Sequence, residues 1–545
     1  MSHTVTMLDT PEQAATWLRA RVTGRLHSDS RHARAGDGFI AWPGAATDGR
    51  RYVPSALAQG AQACLVERDG LDVSAWGADL EGDKVASYAN LKAATGPIAA
   101  TFYGHPSQAL SMVAVTGTNG KTSTTWWLAQ ALSKLKQQVI VRCGVVGTLG
   151  IGEPPALVPN GLTTPDPVTL QHALRDLVQQ GVQACAIEAS SIGLSERRLD
   201  GCEIKVALFT NFTHDHLDYH GSMEAYWQAK AELFRWPGLQ AAVINVDDPQ
   251  GVELAAQLAA TRPAVAVWTC SMAFPPARLS PQRAQPVAMS RVSHLYAEHS
   301  AYVRSSDPGD RCGLCFDVAE QGSAARYAVT TGLIGEYNVA NVLGVIGALR
   351  AVGASLEDAA QACCDLRAVP GRMECLGQSG QPLAVIDYAH TPDALDKALA
   401  GLRPLAAQRG GQLWCLFGCG GDRDPAKRPV MAAVAQKNAD QVMVTSDNPR
   451  TEKPQAIISQ ILLGLSHSEK DSVHVESDRA QAIARVLQEA APADVVLIAG
   501  KGHEDYQDVA GVKHPFSDQT HALAALALRG GGTHINNKAK AGGAA

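Results

Sequence analysis

At 545 residues, with 46% hydrophobic and 18% charged positions, the chain has the composition of a soluble globular protein and the length for several domains, three being the expectation. A net charge of −6 argues against a nucleic-acid partner held by phosphate neutralisation, and no run of about 18 apolar residues is present to span a membrane. Residues 1–9 lack a basic-then-apolar leader, so a cytoplasmic place is expected, and the 12 Cys lie mostly inside apolar runs (Cys64, Cys143, Cys185, Cys415), as buried thiols in a reducing compartment would.

The first hundred residues alternate strand-like runs (Gly38–Trp42, Ala63–Glu67) with a helical segment from Pro54 to Gln59, a small mixed α/β unit that ends at the turn-rich seam Phe102–Ser107. Met112–Val115 then reads as a strand. It stops at a glycine-bracketed turn, Gly117-Thr118-Asn119-Gly120-Lys121-Thr122-Ser123, ahead of a helical pattern from Thr124 to Leu132. Strand, glycine turn, Lys-Thr and helix together cradle a nucleotide triphosphate. Backbone N–H groups and the helix N-terminus face the phosphates, Lys121 neutralises them, and the Thr122 hydroxyl reaches Mg²⁺. The loop is shorter than the common phosphate loop, which would place its first glycine at Val115. Its residues specify ATP or GTP and leave the use of the nucleotide open.

Apolar runs at Gln138–Val141, Ala184–Ile187, Val206–Phe209 and Ala242–Asn245 alternate with helical segments, the pattern of a mostly parallel sheet. Two of these strands end in chemistry: Glu188 follows one, and Thr210-Asn-Phe-Thr-His-Asp-His-Leu-Asp-Tyr-His220 follows another. Residue types alone leave the histidine cluster open between turn hydrogen bonding and metal ligation. Its place beside a phosphate loop favours ligands for Mg²⁺. From Phe274 to Gly322 the pattern dissolves into Pro, Ser and Arg and reads as a surface excursion. Cys312-Gly-Leu-Cys315 within it has no second Cys or His pair at a matching interval, so no zinc site is expected.

Helix returns from Gly335 to Arg350, and a third α/β unit begins near Val369. Its strands, Leu383–Ile386, Leu413–Phe417, Val442–Thr445 and Val495–Ala499, each end in a polar loop: Asp387-Tyr-Ala-His390, Gly418-Cys-Gly-Gly-Asp-Arg-Asp424, Ser446-Asp-Asn-Pro-Arg450 and Gly500-Lys-Gly-His-Glu504. Ligands of an open parallel sheet bind outside the carboxyl ends of its strands, so these loops point to one crevice. From Arg529 the Gly-, Lys- and Ala-rich tail reads as disordered. With no nucleophile elbow and no zinc-protease helix in the sequence, phosphoryl transfer is the supported chemistry.

Thr116-Gly-Thr-Asn-Gly-Lys-Thr122, Glu188-Ala-Ser-Ser191, Asn211 with Asp215-His-Leu-Asp218, Tyr337-Asn-Val-Ala-Asn341, Gly371-Arg-Met-Glu374 and Asp387-Tyr-Ala-His390 occur in order along the chain. In this set and order the chain resembles the Mur ligase family of ATP-dependent amide-forming ligases. The resemblance implies three domains: a small N-terminal α/β substrate domain (1–104), a central P-loop-type ATPase domain with a mostly parallel sheet (105–367), and a C-terminal Rossmann-like α/β domain for the amino acid (368–528), before the tail 529–545. Asp447-Asn-Pro-Arg450 resembles the motif of members that add meso-diaminopimelate to the D-glutamate of UDP-N-acetylmuramoyl-L-alanyl-D-glutamate in cytoplasmic peptidoglycan precursor synthesis. Diaminopimelate is lysine with a distal carboxylate, and Arg offers a planar fork for it.

The resemblance further implies roles. Lys121, Glu188, His216 and Lys230 would be catalytic. Gly117 to Ser123 would hold the phosphates, and Asn338, Arg372 and Asp387 the adenosine side. Thr122 and Glu188 would hold one Mg²⁺; His216 and Lys230 would serve a second, Lys230 as N6-carboxylysine, although its helix otherwise reads as exposing it. Ser28, Ser30, Arg31, Thr163, Thr164, Ser190, Glu196 and Arg198 would face UDP-muramoyl-dipeptide; Arg423, Asp447, Asn448, Pro449, Arg450, Gly500 and Glu504 would form the diaminopimelate pocket. A monomer is expected. Three departures touch substrate contacts: Ile192-Gly-Leu194 where members commonly have His-Gly-Leu, Glu196 where Gln is usual, and Ala45-Ala-Thr47 before Asp48-Gly-Arg50. Glu196, near an anionic substrate, is expected to pair with Arg197 or Arg198. The rivals are a ligase of the same family adding L-lysine, another amino acid or a peptide, and a nucleotide-gated regulatory protein that forms no bond.

Overall fold

The computed structural model describes residues 5–44, 47–76, 82–135, 142–272, 292–304, 312–465 and 472–530. The chain forms two compact units: residues 1–296 with 319–325 and 342–362, and residues 297–318 and 326–341 with 363–545.

In the first unit, five parallel strands run in the order Thr6–Leu8, Val85–Tyr88, Ala63–Glu67, Gly38–Ala41 and Leu26–His27. Every residue of Gly38–Ala41 and Ala63–Glu67 is buried because both faces are covered. Leu18, Ile40, Leu65 and Ile98 fill one side, and Phe39, Val53, Cys64 and Val66 the other. Burial on two faces is why these strands read as continuous apolar runs.

The same unit holds eight neighbouring strands of the larger sheet, in the order Ala156–Val158, Gly150–Glu153, Cys143–Gly147, Ala184–Glu188, Ser111–Thr116, Val206–Phe209, Ala241–Asn245 and Ala266–Ser271. From Cys143–Gly147 onward the pairings are parallel; the first two strands form an antiparallel edge. Ser111–Thr116 lies between strands that come later in the chain on either side. Its carboxyl end is therefore a topological switch point, where ligands bind such sheets. The expected strand Gln138–Val141 falls outside the described residues.

The segment read as an excursion from Phe274 contains order. Val292–Arg304 is a strand, paired in parallel with Ala266–Ser271 from Val267↔Val292 to Ser271↔Tyr296, and Cys312–Glu320 is another. Leu295, Tyr296, Leu314, Phe316 and Val318 are buried. His, Ser and Glu placed between these apolar residues hide the alternation in the sequence.

In the second unit the strand order is Glu374–Leu376, Leu383–Asp387, Val495–Ala499, Leu413–Phe417, Gln441–Val444 and Val473–Val475, parallel except for the first. The last strand, Val495–Ala499, inserts between the first two read from sequence. The Gly500 loop thus stands between the Asp387 and Gly418 loops. A hairpin of Tyr506–Val509 and Val512–Pro515 follows, and the helix Asp518–Gly530 contains Arg529, which had been assigned to the tail; its guanidinium donates to Leu487 O and Ala490 O. Residues 531–545 lie outside the described residues. No helix among the described residues is long and apolar enough to cross a membrane.

Candidate active site

The phosphate loop is held from behind by the strand end beside it. Thr210 Oγ1 donates to Asn119 O at 2.6 Å, Asn211 Nδ2 donates to the same carbonyl at 3.1 Å, and Asn211 Oδ1 accepts from Asn119 N at 2.9 Å. Thr118 Oγ1 lies 3.2 Å from Tyr226 Oη and donates to Thr213 O at 3.1 Å. Gly117 has φ +146°, and a Cβ there would stand 1.9 Å from Thr210 Oγ1, so only glycine fits. Gly120, also at positive φ, opens the helix Lys121–Leu132, whose first turn buries Thr122 and Ser123. Lys121 Nζ donates to Gly117 O at 2.9 Å and Thr118 O at 2.8 Å, which curls the cation over the loop.

Glu188 ends the neighbouring strand at 1% exposure. Its Oε2 accepts from Thr122 Oγ1 at 3.0 Å and from Thr148 Oγ1 at 3.3 Å, and its Oε1 from Thr148 N at 2.8 Å. The Thr122 hydroxyl and a carboxylate are thus brought together beside the loop, hard oxygen donors of the kind Mg²⁺ takes. Lys230, which its helix pattern alone reads as exposed and the resemblance places at a metal, is buried. It is 1% exposed, donates from Nζ to Gly117 O at 2.7 Å, and has Nζ 4.4 Å from the Tyr226 ring centre. Burial, with Lys121 adding to it, pushes its amine well below the usual lysine range. His216, in the left-handed region at φ 52°, is held below the ordinary imidazole range, first by burial and then by Lys121 and Lys230, against the opposing pull of Asp215. Among the described residues no group of three or more His, Cys, Asp and Glu side chains converges as a metal site. Asp215 Oδ2 lies 3.5 Å from His216 Nε2.

Of the residues expected to face the nucleotide sugar, Thr164, Ser190 and Arg198 are joined by hydrogen bonds, and Thr163 reaches Glu188 through Thr148. Thr164 Oγ1 donates to Glu188 O at 2.7 Å, lies 2.9 Å from Ser190 Oγ and accepts from Ser190 N at 3.1 Å. Thr163 Oγ1 lies 3.0 Å from Thr148 Oγ1, and Arg198 Nη1 donates to Thr164 O at 2.8 Å. Ser28 Oγ donates at 3.0 Å to Asp166, which caps the helix Pro167–Gln179, and Ser30 is buried at a short turn opened by Asp29. Glu196 corrects the sequence reading. It pairs with Lys92 at 2.7 Å and accepts from Tyr219 Oη at 2.5 Å, whereas Arg197 takes Asp200. Lys92 lies far away in sequence, and no local pattern announces it.

In the second unit, Asp387 Oδ2 accepts from Met373 N and Oδ1 from Ala389 N, at 2.9 and 2.8 Å; burial raises its pKa against the opposing Arg372 charge. Arg372 stacks 4.4 Å over the Tyr388 ring. Asn338 donates to Ile334 O at 2.7 Å in the first turn of Tyr337–Ala351. Asn448 and Glu504 meet from two loops, and Arg450 turns its guanidinium to a third. Asn448 Nδ2 donates to Glu504 Oε2 at 2.8 Å, and Arg450 Nη1 donates to Gly421 O at 2.6 Å. Arg450 sits at φ 50°, pinned by its N–H to Asp508 O at 2.9 Å and by Ala510 N to its own carbonyl at 2.7 Å. A Cβ on Gly420 would lie 2.9 Å from Arg450 Nη1 and 3.9 Å from Arg423 Cγ, which places the two arginines around one glycine. Pro449 O closes a turn on Glu452 N at 3.0 Å. Asp447 Oδ1 accepts from Asn448 N at 2.6 Å, and a Cβ on Gly500, at φ +119°, would stand 2.4 Å from Asp447 Oδ2.

Sequence reasoning missed the supports of these loops. Arg479, wholly buried, forks onto Asp518 with two 2.7 Å bonds and donates to Ala499 O at 2.9 Å and Ser446 O at 3.3 Å, gripping the strand ends that carry Gly500 and Asp447. Arg428 likewise forks onto Glu452 and holds Gly420 O at 3.0 Å. Nothing local marks either arginine, because each lies in an ordinary amphipathic helix.

Three stretches of the chain match known domains: the Mur ligase family, catalytic domain over residues 25–103, the Mur ligase middle domain over 115–349, and the Mur ligase, glutamate ligase domain over 371–502. UDP-N-acetylmuramoyl-L-alanyl-D-glutamate–2,6-diaminopimelate ligase of Acidovorax sp. (strain JS42) is 56% identical over 97% of this chain and 99% of its own length. The relative of the same name from Janthinobacterium sp. (strain Marseille) is 46% identical over 94% and 96%. A solved structure of a ligase of that name is 34% identical, with a TM-score of 0.61, over 93% of this chain and 95% of that one. MurF from Acinetobacter baumannii, at 18% identity and a TM-score of 0.59 over 90% and 95%, shares the fold. The chain belongs to the Mur ligase family, with its three-domain α/β architecture.

Proposed function

We propose that the chain joins meso-diaminopimelate to the D-glutamate of UDP-N-acetylmuramoyl-L-alanyl-D-glutamate, an ATP-dependent, ADP-forming amide ligation in the cytoplasmic synthesis of peptidoglycan precursors. It thereby serves cell-wall biogenesis, on which cell shape and division depend. The observation that carries the amino-acid assignment is the meeting of Asn448 and Glu504 at the carboxyl ends of one sheet, with Arg450 two residues on in the Asn448 loop, an amide and a carboxylate with a cationic fork suited to a distal amino-acid head group. Full-length relatives named for this reaction support it.

The γ-carboxylate of the D-glutamyl residue attacks the γ-phosphorus of ATP, giving an acyl phosphate and ADP. The diaminopimelate amine then attacks the acyl carbon, and phosphate leaves as the amide forms. Lys121 and the loop N–H groups stabilise charge on the phosphates. Thr122 and Glu188 would hold one Mg²⁺, and His216 with Lys230 a second; bound there, the metal neutralises phosphate oxygens. The donors fit on one condition. Glu188 is the carboxylate that meets Thr122, Asp215 stands beside His216, and a cationic lysine cannot ligate. Lys230, buried and biased to the neutral amine, is poised to add CO₂, forming an N–C bond and releasing a proton, which supplies a further carboxylate. The neutral bias of His216 likewise suits a ligand nitrogen. Thr164, Ser190 and Arg198 are assigned to the dipeptide, and Asn338, Arg372 and Asp387 to the adenosine.

The test is ADP formation by the purified chain with ATP, Mg²⁺, UDP-muramoyl-dipeptide and diaminopimelate, using ¹⁸O in the γ-carboxylate of the dipeptide. ADP formation that needs all components, with one ¹⁸O carried into phosphate, is expected. Phosphate free of ¹⁸O would rule out the acyl phosphate.

A further inference from the structure

In the loop Gly500-Lys-Gly-His-Glu504 the lysine has no part in the pocket as assigned, yet Lys501 is fully buried, which a cation tolerates only with strong partners. It has two. Nζ donates to Asn448 Oδ1 and to Glu504 Oε2, both at 3.0 Å, and the Tyr506 and Phe516 rings stand 5.5 and 6.0 Å away. Asn448, 3% exposed, closes the triangle: Nδ2 donates to Glu504 Oε2 at 2.8 Å, while Oδ1 also accepts from Asp508 N at 2.9 Å.

The polarity of this triangle is forced. Lys501 Nζ and the Asp508 N–H can only donate, so the amide atom facing them must be the oxygen. The Asn448 NH₂ is thereby turned to Glu504. That contact uses one of its two N–H groups, and both protein donors fall on Oε2 of Glu504, leaving Oε1 without a hydrogen bond among the described residues. An N–H beside a carboxylate oxygen is the complement of an amino-acid head group, with carboxylate on the former and ammonium on the latter. Without the cation, Asn448 Oδ1 keeps only the Asp508 N–H of its two donors, and Glu504 loses the charge beside its carboxylate, so the donor edge and the open oxygen are held less firmly.

Resting on the reading that this loop cluster receives the amino acid, we propose that Lys501 is a positioning residue for that substrate, acting through Asn448 and Glu504 rather than by contact. It sets the donor edge of the one and the open oxygen of the other. Lys501→Met removes the charge at nearly constant length. Initial rates on the full chain, varying each substrate in turn, should show the diaminopimelate KM raised about tenfold or more. The ATP and UDP-muramoyl-dipeptide KM values should stay within about twofold, with kcat falling less than the KM rises. In a cycle with Glu504→Gln, the double variant should be no worse in diaminopimelate KM than the worse single one, because both act through one carboxylate. Lys501→Gln reads the same quantities if the methionine variant does not fold, folding being checked by ADP binding. A folded variant with unchanged diaminopimelate KM, or with all three KM values raised alike, overturns the role. Wild-type chain that forms no ADP with diaminopimelate overturns instead the assignment beneath it.

Discussion

A lysine that neutralises phosphate and a lysine that carries a carbamate need opposite surroundings, and Lys121 and Lys230 have them. Lys121 lies over the loop with its Nζ donating to two backbone carbonyls, and it can turn those N–H groups to phosphate oxygens. Lys121→Ala should therefore lower kcat by about 100-fold or more, read as ADP release, with the fold intact; near-normal turnover would remove that role. Lys230 is sealed in and biased to the neutral amine. Lys230→Ala should lose activity and regain part of it with millimolar acetate or another small carboxylate, and no regain would count against the carbamate. Arg450→Lys exchanges a planar fork for a point charge and should raise the diaminopimelate KM about tenfold with little change in that for ATP. At this scale the sequence disclosed residue types and motif order, since Lys121, Glu188, Asn448 and Arg450 stand in recognisable runs. It did not disclose burial or distant partners: Lys230 sits in a helix of ordinary composition, and the partners of Glu196 arrive from Lys92 and Tyr219.

Elements transmit position to those residues. The helix Arg479–Glu489 is tied to Asp518–Gly530 through the Arg479–Asp518 fork, which also grips Ser446 and Ala499. Asp518→Asn would leave a buried guanidinium without its counter-charge and should cost about 3–5 kcal/mol in denaturant unfolding. The strand Val292–Arg304 carries His294 between Thr269 Oγ1 at 2.8 Å and Ser271 Oγ at 3.2 Å; burial pushes this imidazole down to about 4. Between that value and about 6.5 the unfolded chain binds the proton and the folded chain does not. Stability should thus fall as pH drops through this window, by up to about 1.4 kcal/mol per pH unit from this group. His294→Gln should flatten that slope in calorimetric melts, and an unchanged slope would contradict the assignment. Strands buried on both faces were legible as apolar runs closed by polar loops. Val292–Arg304 was not, because polar residues interrupt its alternation.

Across the whole molecule, three sheets each present loops at strand ends: a small sheet with Ser28 and Ser30 following its edge strand, a switch point that gathers the phosphate loop, Glu188 and Thr210 to His220, and a third sheet that gathers the amino-acid loops. The order of these loops along the chain was readable, because each motif sits at a strand end. Strand order was not: the insertion of Val495–Ala499 between Leu383–Asp387 and Leu413–Phe417 is a crossover that no local signal encodes. The central claim is that this architecture activates the D-glutamyl carboxylate with ATP and gives it to diaminopimelate. The most direct measurement is a competition in which the chain receives ATP, Mg²⁺ and UDP-muramoyl-dipeptide with equal meso-diaminopimelate and L-lysine, the products being weighed by mass spectrometry. The diaminopimelate-containing tripeptide should exceed the lysine product by about 100-fold or more, as expected where the half-buried Arg450 fork would lose its carboxylate partner. Equal amounts of the two, or no tripeptide at all, would contradict it.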